Sequence, residues 1–314
     1  MANYLPEGYA AAFSQQPAGL KNLAAAQEAL QTGKILEARA VVCDADHNLI
    51  VDLGCMKGII PREECAIGIA EGTTRDIAII SKVNKPVCFK IVSVKSDEKF
   101  KPYAILSRKA VQLECQEKYI SRLTPGDVIC GKITHLEPFG CFVDIGCGLI
   151  SLLPIDAISV SRISHPKDRF TIGQNILTVV RSIGDDGKIC LSHKELLGTW
   201  EENAAHFKNG ETVAGVVRSV ESYGIFVELA PNLAGLAEVK EDVHVGQQTS
   251  VYIKSLIPEK MKIKLIIVDA FDAPPAKKEF DYYITSGKID RFRYSPECSD
   301  KVIETVFQSG PVPS

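Results

Sequence analysis

The chain has little of what would mark a membrane, secreted or metal-binding protein. No apolar run approaches the ~18 residues needed to span a bilayer. The opening MANYLPEGYA has neither the basic region nor the apolar stretch of a secretory leader. A cytoplasmic protein without a membrane partner is the expectation. Ten cysteines are present but no CxxC pair, so paired ligand spacing is missing and no metal is expected. Most of them lie in β-branched runs such as Val128-Ile129-Cys130 and Ile189-Cys190-Leu191, where they read as small buried apolar side chains in reducing surroundings. HExxH, P-loop and GxSxG motifs are absent, and Gly146-Cys147-Gly148 lacks the rest of a dinucleotide fingerprint. No catalytic residue and no cofactor is predicted, and the chain does not read as an enzyme.

An excess of positive charge is missing as well. Lys and Arg number 36 against 39 Asp and Glu, a net charge of −3 over 314 residues. A dominant electrostatic grip on duplex nucleic acid needs a basic stripe, so the balance argues against one. Single strands remain open, because stacking supplies about 1–3 kcal/mol per base without charge.

What is present is a repeat. Phe139-Gly-Cys-Phe142-Val-Asp-Ile-Gly returns 84 residues later as Tyr223-Gly-Ile-Phe226-Val-Glu-Leu-Ala. Each copy follows a β-branched run, 128–134 or 213–220, that opens just after a glycine. Two aromatic rings per strand facing water cost stability unless they have a task, and a flat π-surface suits an unpaired base. A divergent earlier copy aligns Asp52-Leu-Gly54 with Asp144-Ile-Gly146, which sets His47 and Ile50 where the rings stand. All three copies then run through a short third strand (58–60, 151–153, 235–237), a variable loop, a long fourth strand (87–94, 175–183, 249–257) and a fifth (104–107, 188–192, 262–266). Five short strands in each repeat predict a small closed barrel.

The organisation expected is a helical segment over 1–32 and a first, divergent barrel over 33–110. A helical linker at 111–123 leads to a second barrel at 124–193, and another at 194–207 to a third at 208–269. Residues 270–314 complete the chain. The linkers carry helical periodicity, with one helix predicted from 109 to 123 and another from 194 to 207. In the tail, Ala273-Pro-Pro-Ala-Lys-Lys reads as a linker, and 280–285 pairs with 288–294 about Ser286-Gly287 as a hairpin. Ser299 is expected to cap a last helix through Phe307. Phe292 and Tyr294 would cover the third barrel, or Arg291 and Arg293 on the other face of that strand would contact RNA. His165, Asp168 and Arg169 read as a turn with a local salt bridge, and His135 and His193 as surface or rim residues.

The repeats resemble the S-one RNA-binding domain, the OB-type barrel of bacterial ribosomal protein S-one, over residues 33–269. The second copy carries the resemblance best: GDVICGKITHLEPFGCFVDIG, SLLPIDAIS, HPKDRFTIGQ and KICLSHKELLGTWEENA. The resemblance implies three tandem OB-fold barrels; with the short helical linkers and the small C-terminal hairpin–helix unit read above, the expectation is an all-β chain. It implies single-stranded RNA binding in translation, to mRNA, without catalysis. Of the five positions that build the RNA face in that family, the second copy keeps Phe139 and Phe142, with Pro154, Gly184 and Lys188 at the histidine, acidic and arginine positions. The third keeps Tyr223 and Phe226, with Glu238, Pro258 and Lys262. Lys132, Lys188, Arg218, Lys254 and Lys262 are candidates for phosphate contacts. The first copy holds His47, Ile50 and Pro61 there; it is expected to dock to protein, for instance the small ribosomal subunit, or else to contact only the RNA backbone through lysines such as Lys82, Lys85 and Lys90. An adaptor that uses its barrels for protein contacts alone, on the ribosome or an RNA-decay assembly, is the alternative.

Overall fold

A computed structural model describes residues 4–9, 20, 22–273 and 279–307. The alternating runs close into three five-stranded barrels. The first comprises β1 (Leu36–Cys43), β2 (Leu49–Asp52), β3 (Lys57–Ile60), β4 (Pro86–Ser96) and β5 (Pro102–Ser107). The second comprises β6 (Val128–Glu137), β7 (Gly140–Gly146), β8 (Leu149–Pro154), β9 (Asn175–Ile183) and β10 (Ile189–Ser192). The third comprises β11 (Thr212–Glu221), β12 (Gly224–Ala230), β13 (Leu233–Ala237), β14 (Gln248–Ile257) and β15 (Lys262–Phe271). Each closes in the order first, second, third, fifth, fourth, and its third and fifth strands pair in parallel. This is the tandem OB-type arrangement expected. Strand alternation supplies the cores: Leu49, Val51, Ile60, Val87, Phe89 and Leu106 fill the first barrel, and Val217, Ile225, Val227, Val251, Ile253 and Ile263 the third.

Two compact units result. One takes Met1–Leu123 with Cys130–Lys132 and Asp144–Ile150; the other takes Thr124–Ile129, Ile133–Val143 and Ser151–Ser314. In the first, Asn22 caps the helix Leu23–Thr32 and Gly33 ends it in the left-handed region. That unit also holds a buried ionic centre. The Glu7 carboxylate accepts from Nε and Nη2 of Arg108, from Nζ of Lys82 and from the backbone N–H of Cys88, while the Glu7 N–H donates to Asp144. Burial alone would raise the Glu7 carboxyl, but the charges of Arg108 and Lys82 outweigh it and hold the group well below the usual carboxylate range.

Three local expectations are corrected. The helix over 194–207 is broken: a 3-10 turn, Lys194–Leu197, precedes Gly198 at φ 82°, and Thr199 starts a new helix, Trp200–Ala204, through a capping box with Glu202. The helix at 109–123 stops at Lys118 and continues as a 3-10 turn, Ile120–Arg122. The C-terminal hairpin–helix does not form as expected. Residues 280–285 make no strand; β16 (Arg291–Arg293) pairs instead with β17 (Glu304–Val306), inside the span expected to be helical. The β-branched residues Val302, Ile303, Thr305 and Val306 favour extended backbone there. Gly287 and Ile289 bond to Val128 and Gly126 on the second barrel rather than to 280–285. Phe292 and Tyr294 are buried against the third-barrel core, as expected of covering aromatics. The linker residues 274–278 lie outside the described residues.

His193 is also corrected, from rim to interior. It is fully buried beside Phe170, Phe280 and Tyr282, with Nδ1 3.0 Å from the Ile158 carbonyl and Nε2 3.1 Å from the Tyr282 hydroxyl. Burial lowers its pKa to about 4. Above the ordinary value near 6.5 both folded and unfolded chains carry it neutral; as pH falls from there to about 4, only the unfolded chain takes up the proton. Stability should therefore drop across that window by roughly 3 kcal/mol from this group. Urea midpoints measured from pH 7 to 4 should fall less steeply for His193→Gln than for the wild type; parallel curves would remove His193 from the account.

Candidate nucleic-acid interface

The aromatic phrase sits at the tight turn between the first and second strands of the second and third barrels. Its glycine is required by close approach: a Cβ on Gly140 would lie 2.5 Å from the Leu153 carbonyl oxygen, and one on Gly224 2.7 Å from that of Ala237. The bare backbone lets the second strand press onto the third, and this sets the rings on the outer face. There the two barrels repeat one geometry. Phe139 and Phe142 meet edge to face at 6.1 Å and 87°, Tyr223 and Phe226 at 6.2 Å and 87°. Such contacts fix ring orientation at about 0.5–1.5 kcal/mol each. Phe139 is 57% exposed and Tyr223 68%, far more than a core aromatic, whereas Phe142 and Phe226 are half-buried beneath them.

Strand register extends the face of the third barrel into a row. Ser219, Phe226, Leu236, Lys264 and Ser255 lie side by side across β11, β12, β13, β15 and β14. Lys264 is exposed and shares this row with a platform ring, yet nothing in its local sequence separates it from Lys262. Lys254 is exposed in a bulge of β14, between Ile253 and Ser255. The matching bulge of β9 holds Arg181, also exposed, so both barrels put a cation at this point. Sequence reading missed Arg181 because the bulge is invisible without the pairing. His135, read as a surface or rim residue, is exposed as expected and packs edge-on to Phe142 at 6.5 Å.

The other expected cations are placed unevenly. Lys262 is exposed at the start of β15. Lys188 is exposed but lies 2.6 Å from Asp186, a surface pair of little energetic weight. Lys132 donates to the Gly8 carbonyl at 2.8 Å. Arg218 is largely covered: its Nε donates to Glu228 at 2.8 Å, its Nη2 to the same carboxylate at 3.2 Å, and its Nη1 is 3.8 Å from Asp168. Arg169 shares Glu228, so the local salt bridge expected within 165–169 is replaced by a longer-range one. His165 and Asp168 instead form a capping box on the turn Pro166–Asp168.

The site thus consists of paired rings with neighbouring cations. Residues 122–194 match the family model of the S1 RNA binding domain. The Small ribosomal subunit protein bS1 of Staphylococcus aureus is 30% identical over 258 residues, covering 77% of this chain and 63% of that protein. The Small ribosomal subunit protein bS1 homolog of Bacillus cereus is 30% identical over 286 residues, covering 86% of this chain and 72% of that protein. The chain belongs to the bacterial ribosomal protein bS1 family. Among solved structures, a multidomain protein with nucleic acid binding domains from Streptococcus pneumoniae is similar over 77% of this chain and 76% of that one, at 13% identity and a TM-score of 0.25. The chain spans about 63% of the length of the staphylococcal bS1 proteins that it matches.

Within this bS1-family chain the first barrel departs from the others. Its equivalent row reads Val42, Ile50, Ile59, Ile105 and Ser93, and its β4 bulge holds Val92. Val42 is 48% exposed and Val92 55%, so aliphatic side chains occupy the face that carries rings and cations elsewhere.

Proposed function

We propose that the chain binds single-stranded RNA through its second and third barrels, acting on mRNA in translation in the cytoplasm. Bases stack on Phe139 with Phe142 and on Tyr223 with Phe226. Lys188, Lys254 and Lys262 lie along the phosphate path, joined by Lys264 and Arg181. Arg218 and Lys132 are left out of that set, because carboxylates and a backbone carbonyl already engage them. The observation that carries the reading is the recurrence, in two barrels, of one ring pair with the same angle and the same exposed outer ring. Rings need no sequence match, so the expected preference is broad, and so few cations give a shallow salt slope.

The aliphatic row of the first barrel favours protein contact for that repeat, with the small ribosomal subunit as the partner that family membership suggests. One titration tests both parts. A pyrimidine-rich single strand should bind at least about tenfold more tightly than the same sequence as a duplex, because stacking requires unpaired bases. Val42→Ser should leave that affinity unchanged. Preference for the duplex would remove stacking as the source of affinity, and a loss in Val42→Ser would return the first-barrel face to RNA.

A further inference from the structure

Glu228 stands two residues beyond Phe226 on β12, so strand alternation puts it on the same outer face, about 7 Å further along. Yet it is only 7% exposed. What covers it is the loop between β8 and β9 of the second barrel, within the same compact unit. Arg169 from that loop donates through Nη1 at 2.8 Å and through Nη2 at 2.5 Å to the two carboxylate oxygens of Glu228. Arg218 donates to the same carboxylate from β11 and faces Asp168 of the loop. Further along, Ser161 donates its N–H to the Pro231 carbonyl at 3.2 Å, and Val160 its N–H to Asn232 Oδ1 at 2.9 Å, beside the turn into β13. Asn232 is fully buried and donates to the carbonyls of Lys194 and Gly198. Buried charge pairs with this many partners hold an element in one place, since breaking any one strands a charge.

We infer that this loop is a wall of the third barrel's nucleotide platform, and that Lys167 on it contacts a phosphate of RNA stacked on Tyr223 and Phe226. Lys167 is exposed and adjoins Asp168 and Arg169, the two residues that dock the loop beside Phe226. Among the described residues its ammonium has no ion-pair partner. Asp168 is occupied by the Ser164 and His165 N–H groups and by Arg218. Arg169 and Glu228 are positioning residues: they touch no RNA and fix where Lys167 stands. A site on one barrel is thus completed by its neighbour, which makes the tandem pair, rather than the single barrel, the binding unit. The inference rests on the stacking reading above, and its test separates the two.

The test uses the full chain carrying Phe139→Ala and Phe142→Ala, so that the third barrel alone supplies rings, and oligouridine anisotropy over a range of salt. Lys167→Gln should weaken binding about three- to tenfold and reduce the salt slope by about 0.7, the value for one phosphate contact on a single strand. Lys167→Arg should retain both. Arg169→Gln should reproduce the loss and add nothing to Lys167→Gln. An unchanged affinity and slope in Lys167→Gln overturns the wall; because that side chain is exposed, its loss leaves folding intact. Tyr223→Ala with Phe226→Ala in the same background should abolish binding. If it does not, the stacking reading has failed; if it does while Lys167→Gln is silent, only the wall has.

Discussion

Glu7→Ala is expected to cost about 3–5 kcal/mol of stability, the loss typical when one partner of a buried ion pair is removed. The carboxylate is 4% exposed and the Arg108 guanidinium 3%, so its removal leaves a desolvated cation and an unpaired Cys88 N–H. Lys82, at 20% exposure, can turn to water; Arg108 cannot. Urea unfolding should therefore show a lower midpoint in Glu7→Ala, with faster exchange of the Cys88 amide. Combining Glu7→Ala with Arg108→Met should recover part of the loss, because the guanidinium is then no longer stranded, although the buried Asp144 carboxylate loses its neighbour. A loss below about 1 kcal/mol in the single variant would mean that Arg108 finds another partner or water, and that this centre contributes little.

Nothing near Glu7 in sequence announces that role. It lies 101 residues from Arg108 and 137 from Asp144 in the chain, and a lone glutamate after Leu5-Pro6 reads as solvated. The barrels were legible for the opposite reason. Period-two alternation and the Phe-Gly-Cys-Phe and Tyr-Gly-Ile-Phe phrases are local, and repetition gave the strand order of one copy by comparison with the others. The rings could be named from sequence because their glycines and spacing fix them within one hairpin. The cations could not: Lys264 and Lys262 look alike until the parallel pairing of β13 with β15 puts Lys264 beside Leu236. Arg218 reads as a free strand cation until Glu228 and Asp168 are seen around it. The tail failed on the same distinction. Ser286-Gly287 is a good local turn signal, but the hydrogen bonds of that segment go to Gly126 and Val128, more than 150 residues away.

The platform itself carries the largest expected effect on binding. Phe139 and Tyr223 are exposed, with Phe142 and Phe226 set against them at 87°. At about 1–3 kcal/mol per stacked base, losing both pairs removes enough to weaken binding by about a hundredfold or more. Loss of the exposed rings alone, Phe139→Ala with Tyr223→Ala, should retain the fold, since neither ring belongs to a core. It should already account for most of the change. The direct measurement is the anisotropy titration of a labelled pyrimidine-rich single strand with wild-type chain and with the chain carrying alanine at 139, 142, 223 and 226, both checked by circular dichroism. An affinity lower by about two orders of magnitude in the folded variant is the predicted result; equal affinity in the two chains would contradict it.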